Sequence, residues 1–177
     1  MEFDLARFIK ARQDNYAEAL QELSDGQKRS HWMWFIFPQI HGLGRSETTR
    51  FYAISGHSEA EAYLKYPVLG ARLEECTRSM LSHPSPTARE ILGSPDDLKF
   101  HSSMTLFGIA AQSGSPFKTA LHVFYGGEGD QATLAIRRSS TFANVATYRS
   151  STRTRPRGRA RAHSYSNGVA VPEPKFP

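Results

Sequence analysis

The run Lys28-Arg29-Ser30-His31-Trp32-Met33-Trp34-Phe35-Ile36-Phe37-Pro38-Gln39 holds both tryptophans of the chain and two of its eleven phenylalanines. A basic, hydroxyl-bearing lead-in passes into residues of large surface, and a proline closes the run. So much aromatic area has to leave water. Its polar tips, two indole N–H groups, an imidazole and a carboxamide, then need partners. A short aromatic-rich run can be a buried strand or a buried helix. The rest of the chain offers no good strand to pair with it, so we read a helix, apolar on all sides and therefore central.

The flanking segments support an all-α fold. Leu5, Phe8, Ile9, Tyr16, Ala19, Leu20 and Leu23 recur at helical spacing. Asp4 is a candidate N-cap, and Asp14-Asn15 suggests a break with a second helix up to Gly26. After the aromatic run, Gln39 to Arg45 reads as a loop, and Ser46 can cap a short helix through Thr48, Phe51, Tyr52 and Ile54. Ser58-Glu59-Ala60-Glu61 has the spacing of a capping box. Pro67 opens a longer helix with Leu69, Leu73, Cys76 and Met80 on one face. Ser85-Pro86, Ser94-Pro95 and Ser115-Pro116 each place a hydroxyl before a proline, predicting helices over about 87–92, 95–111 and 116–125. Asp130 to Ile136 suggests one more helical turn. The prediction is a multihelical single domain over 1–136.

Charge divides the chain at the same point. Residues 1–136 carry 13 Lys and Arg against 16 Asp and Glu, a net of −3, whereas 137–177 carry 9 against one, a net of +8. The high isoelectric point therefore belongs to the C-terminal segment, and a nucleic-acid reading of the body from whole-chain charge fails. That segment is rich in Arg, Ser and Thr and has no Leu, Ile or Met. It cannot bury enough apolar area to offset its ordering entropy, which predicts a disordered basic tail. No apolar run approaches the ~18 residues of a membrane span, and the acidic start Met1-Glu2-Phe3-Asp4 lacks an apolar leader. The single cysteine, Cys76, excludes an intrachain disulfide and a cysteine-rich metal centre. A cytoplasmic setting is expected, with no metal and no cofactor: the seven histidines are scattered and none forms His-x-x-x-His.

Three constellations carry chemistry. Trp32 and Trp34 offer flat faces beside Lys28, Arg29 and His31, a combination suited to a nucleotide-like ligand, although burial in a core accounts for the aromatics equally well. Gly42-Leu43-Gly44-Arg45-Ser46 frees the backbone ahead of a helix start, where N–H groups can meet an anion; the spacing matches neither a dinucleotide fingerprint nor a P-loop. In Asp96-Asp97-Leu98-Lys99-Phe100-His101-Ser102-Ser103-Met104-Thr105 the carboxylates oppose the helix dipole favourably, Asp97 and His101 stand four apart and can pair, and Lys99, Ser102 and Thr105 suggest a partly buried polar network.

With these residues in place the chain resembles the bacterial domain of unknown function family 1810, some of whose members carry the label calpastatin. The resemblance rests on Lys28 to Gln39, Gly42-Leu43-Gly44 with Ser46, Tyr52-Ala53-Ile54, Tyr63-Leu64, Pro67-Val68-Leu69-Gly70 with Arg72-Leu73, Pro95 to Phe100 with Ser102 and Met104-Thr105-Leu106-Phe107, and Phe124-Tyr125-Gly126-Gly127 with Thr133-Leu134. It spans about residues 3–136. It implies a compact multihelical domain and brings no activity. A calpain inhibitor would be a disordered repeat chain rather than a helical core, so the calpastatin label has no support in these residues. Two departures stand out. His101 occupies a position where the family often has another residue such as Arg, and the chain runs on for about forty residues past the usual end, as a functional tail or a frameshifted terminus.

The functional expectation is a small anionic or nucleotide-like ligand held where the aromatic run, the Gly42–Ser46 loop and the 95–107 helix meet. Catalytic candidates are His31, Asp97 and Lys99; ligand-binding candidates are Trp32, Trp34, Gln39, Arg45, Ser46, Tyr52, Ser102 and Thr105. An enzyme at this site would be a hydrolase in nucleotide or ADP-ribose chemistry. The alternatives are a non-catalytic protein interaction module and a nucleic-acid contact through the basic tail.

Overall fold

Helix α1 (Ala6–Ser24) runs unbroken for 19 residues in the computed structural model, which describes residues 3–84 and 87–139. The expected break at Asp14-Asn15 does not occur. The Asn15 amide donates to the Ala11 carbonyl of its own helix at 2.9 Å, and a buried stripe of Phe8, Arg12, Ala19 and Leu23 passes through the position. Packing of that stripe outweighs the weak local preference of Asp and Asn for caps. Asp4 is not the N-cap; Leu5 is, and the Asp4 carbonyl instead accepts from Arg7.

The aromatic run is not a central helix. Only Met33–Ile36 (α2) is helical, a single turn. Two charged side chains of α1 account for this. At the run's start, the Glu22 carboxylate accepts from the backbone N–H groups of Arg29 (2.7 Å) and Ser30 (3.0 Å) and from Trp32 Nε1 (2.8 Å). At its end, the buried Arg12 guanidinium donates to the carbonyls of Phe35 (2.8 Å) and Ile36 (2.8 Å). Backbone groups that a longer helix would pair internally are thus satisfied by α1, whose ten-residue spacing from Arg12 to Glu22 spans about 15 Å. Between these anchors Trp32, Met33, Ile36 and Phe37 are essentially inaccessible to water.

The short helix α3 (Glu47–Phe51) starts at Ser46, whose hydroxyl accepts from Thr49 N as the sequence predicts. The capping box expected at Ser58–Glu61 does not form. Helix α4 (His57–Lys65) follows Gly56, and Glu59 turns back to accept from Ser55 N (2.7 Å) and Arg7 (2.6 Å). Pro67 opens α5 (Pro67–Leu81) as expected. Helix α6 (Ala88–Leu92) is capped by Thr87 and Glu90 in a reciprocal box; the Ser85-Pro86 pair proposed for that role lies outside the described residues. Ser94-Pro95 is a cis peptide, and α7 (Asp96–Ala110) begins after its proline. Helix α8 (Pro116–Tyr125) has Pro116 in its first turn, although the Ser115 hydroxyl makes no cap bond. A last helix, α9, covers 131–139, longer than the turn expected.

The central element is α7, which packs on α4, α6 and α8. Phe100, Met104 and Phe107 are fully buried, and so are Ser102, Ser103 and Thr105 to within 2%. Among the described residues the fold is all-α, and β pairing is limited to one isolated parallel bridge, Ile40 to Ile54. That bridge, through Ile54 N to Gln39 O and His41 N to Ile54 O (both 2.8 Å), ties the end of the aromatic run to the segment after α3. Residues 137–139, placed by sequence in the disordered tail, are the end of α9; the rest of that segment lies outside the described residues. No described helix is long and apolar enough to cross a membrane.

Candidate functional site

A groove of about 230 Å³ lies at the junction of the Gln39–Gly44 loop with α3, α7 and α9. Leu43, Gly44 and Thr49 form one part of its wall, Pro95, Leu98, Lys99 and Ser102 of the α7 segment another, and Asp130 and Ala132 a third, with Gln39 between them. The loop side is tightly set. A Cβ on Gly44 would stand 2.1 Å from Thr49 Cγ2, so the loop can approach α3 this closely only with glycine there. Two larger hollows, of about 730 and 450 Å³, lie along Phe3 to Ile9 and around the α7–α8 turn, and neither is lined by a candidate residue.

At the start of α7, Asp96 is shared by two lysines. Its Oδ1 accepts from Lys99 Nζ at 2.8 Å and its Oδ2 from Lys28 Nζ at 2.9 Å. Burial opposes ionisation of Asp96, but these two ammonium groups outweigh it and hold the carboxyl below its ordinary value. Lys28 also donates to the Ser30 carbonyl at 2.8 Å and stands 5.2 Å from the Trp32 ring. Lys99 stands 4.9 Å from the Trp34 ring, a cation–π geometry. Among the residues lining the groove, Lys99 is the one cation and Asp130 the one carboxylate.

Asp130 belongs to a chain of hydrogen bonds that seats α9 on α7. Its Oδ2 accepts from Thr133 N (2.8 Å) and Thr133 Oγ1 (2.6 Å), as an N-cap does. The Thr133 hydroxyl meets Ser102 Oγ at 2.7 Å. Asp130 N donates to Thr105 Oγ1 at 2.8 Å, and that hydroxyl donates to the His101 carbonyl at 2.8 Å.

Of the eleven candidate residues, the structure brings Gln39, Lys99 and Ser102 onto one surface, with Trp34 behind Lys99 and Thr105 behind Asp130. The others lie elsewhere. Trp32 is 1% exposed, with its indole N–H on Glu22, and presents no face for stacking. His31 is exposed, so its imidazole faces water rather than an aromatic wall. Arg45 and Ser46 are exposed off the groove, and the Ser46 hydroxyl is occupied by Thr49. Tyr52 is half-buried against the core, with its ring on Phe8, Phe35 and Phe51. Asp97 and His101 do not pair: His101 stacks on Tyr125 at 3.9 Å and donates from Nε2 to the Glu128 carbonyl at 2.8 Å. Asp97 Oδ1 is buried and has no hydrogen-bond partner among the described residues. Among the described residues no group of three His, Cys, Asp or Glu stands close enough to hold a metal ion. Burial pushes the Cys76 thiol up to about 11, which marks it as an unreactive core residue.

Fold and groove together define a small all-α domain with a polar-edged surface groove on its central helix. The chain belongs to the family described as protein of unknown function (DUF1810), whose model matches residues 2–136. It is similar to the crystal structure of the conserved hypothetical protein Rv1873 from Mycobacterium tuberculosis, with 46% identity and a TM-score of 0.74 over 76% of this chain and 96% of that one. No curated protein matches the chain.

Proposed function

We propose that the protein binds a small anionic, nucleotide-like ligand in the groove beside Lys99. The observation that carries this reading is the placement of the Lys99 ammonium: fixed by Asp96 on one side and the Trp34 ring on the other, at the edge of a groove whose wall joins apolar Leu43, Pro95, Leu98 and Ala132 to polar Gln39, Thr49, Ser102 and Asp130. A pre-positioned cation beside apolar wall suits a ring that carries a phosphate or carboxylate. At about 230 Å³ the groove is smaller than the roughly 300–1,000 Å³ of drug-sized pockets. It therefore suits a mononucleotide-sized fragment and not a dinucleotide. The hydrolytic version of this reading moves the acid–base role from His31 and Asp97, which do not line the groove, to Asp130, which does.

Calorimetric titration of the full chain with AMP, ribose 5-phosphate and inorganic phosphate tests the reading. Saturable binding that is lost in Lys99→Ala is expected, and absence of binding by all three ligands overturns it. The interaction-module reading is favoured by a different observation. Leu98, at the groove edge, is 61% exposed and Phe51 on α3 is 57% exposed, so an apolar side chain of a partner protein could seat there. That reading gains if no small anion binds.

A further inference from the structure

The hydrogen bonds under Asp130 fix the direction of their protons. A carboxylate accepts only, so the Thr133 hydroxyl, 2.6 Å from Asp130 Oδ2, must donate to it. That hydroxyl has one proton. Its 2.7 Å bond to Ser102 Oγ must therefore be donated by Ser102. With its proton committed inward, Ser102 can only accept from anything in the groove, and Asp130 is likewise an acceptor. Donors are supplied from Lys99, one turn earlier on the same face of α7. The groove is thus polarised, a cation at one point of its wall and two acceptors at another, with Lys99 and Ser102 three residues apart on one face of α7.

We infer that the ligand is a ribose phosphate or a nucleotide whose phosphate meets Lys99 and whose vicinal hydroxyls donate to Ser102 and Asp130. This rests on the anion reading of Lys99 and adds to it the chemistry of the ligand's other end. Vicinal hydroxyls match acceptors whose own protons point away, whereas a second phosphate or carboxylate at that point would face Asp130 and be repelled. Pro95 and Leu98 leave apolar wall against which a base can lie, so the base is permitted but not required.

The test varies the ligand before it varies the protein. The full chain is titrated calorimetrically with AMP, with 2′,3′-dideoxy-AMP and with ribose 5-phosphate. Loss of two hydrogen bonds, one of them to a charged group, predicts at least about tenfold weaker binding of the dideoxy compound. Ribose 5-phosphate is expected to bind within about tenfold of AMP if the sugar phosphate is the recognised unit. Ser102→Ala and Asp130→Asn, each checked for unchanged helicity and thermal midpoint, should shrink the AMP-to-dideoxy contrast while leaving the dideoxy affinity in place. Equal binding of AMP and 2′,3′-dideoxy-AMP by the unaltered protein overturns the hydroxyl assignment but leaves the anion reading standing. Failure of AMP, ribose 5-phosphate and inorganic phosphate alike removes the anion reading and this inference with it.

Discussion

The indole N–H of Trp32 donates to the carboxylate of Glu22 at 2.8 Å, inside the core and ten residues back along the chain. The same carboxylate takes two backbone N–H groups, so one side chain sets the position of the aromatic run and the identity of its first buried tryptophan. Burial opposes the charge on Glu22, yet the bonds from Arg29, Ser30 and Trp32 outweigh it and pull the carboxyl down from 4.5 to about 2. Because the folded value lies below the unfolded one, the stabilisation is complete above about pH 4.5 and fades as the pH falls towards 2. A shift of this size corresponds to about 3 kcal/mol. Glu22→Gln should abolish that part of the acid dependence and lower stability at pH 7 by about 1–3 kcal/mol, measured by urea unfolding between pH 2 and pH 7. An acid profile that is identical in the two proteins would show that the carboxylate is not ionised against these donors.

Arg12 holds the other end of the run. It is fully buried, donates to the Phe35, Ile36 and Leu69 carbonyls, and has the Tyr63 ring at 5.5 Å. Two of these partners, the Phe35 and Ile36 carbonyls, lie at the end of α2, the end of a helix where positive charge is favoured. Arg12→Ala leaves those carbonyls unpaired in the core and should cost about 3–5 kcal/mol. In a domain of this size that lowers the thermal midpoint by roughly 6–20 °C. Arg12→Lys reaches at most part of the fork and should recover less than half of the loss. A midpoint for Arg12→Ala within about 2 °C of wild type, the shift expected for a surface change, would falsify the capping role.

Helices α4 and α5 meet at a glycine. A Cβ on Gly70 would lie 2.2 Å from the Leu64 carbonyl oxygen, and backbone cannot yield as a flexible side chain can. Gly70→Ala should destabilise by about 1–3 kcal/mol despite the better helix propensity of alanine. Gly114, where a Cβ meets nothing but φ is +89°, separates sterics from conformation: Gly114→Ala should lose stability through backbone strain alone, about 1–2 kcal/mol. Differential scanning calorimetry of the two variants checks both values.

What the sequence made legible is what local chemistry decides. Ser46 caps α3, Pro67 and Pro116 open α5 and α8, and the span of α7 is read to within a residue or two, because each rests on neighbours within one turn. The backbone of the aromatic run is not legible locally, because Glu22 and Arg12, on another element, decide it. Arg12 has the composition of a solvated helix face and is instead in the core. The groove was legible in outline, since Gln39, Lys99 and Ser102 converge as the motifs suggest. The part of Asp130 and Thr133 in it is not legible: the Thr133 tie to Ser102 joins positions 31 apart, and alone Asp130-Gln131-Ala132-Thr133 says only that a helix begins. The Asp97–His101 pair failed because Tyr125 and Glu128 take the imidazole from a neighbouring element.

Two lysines on one carboxylate allow ligand binding to be separated from stability. Lys28 is the more enclosed, its side chain 10% exposed against 24% for Lys99, and it also holds the Ser30 carbonyl. Lys28→Ala leaves Asp96 paired with Lys99 alone but strips the Ser30 carbonyl of its donor, and should destabilise by about 1–3 kcal/mol. Lys99→Ala leaves Asp96 still paired with Lys28, so the loss should stay near 1 kcal/mol or below. For a phosphate-bearing ligand the order reverses, because Lys99 lines the groove and Lys28 does not. Lys99→Ala should weaken AMP binding by about 10–100-fold, the worth of a charge-assisted hydrogen bond. Arg45→Ala, at an exposed position off the groove, should change it by less than about threefold, as a rim charge does. Thermal midpoints and calorimetric affinities for the three variants decide the matter. Equal loss of affinity in Lys99→Ala and Arg45→Ala would move the anion site from α7 to the glycine loop.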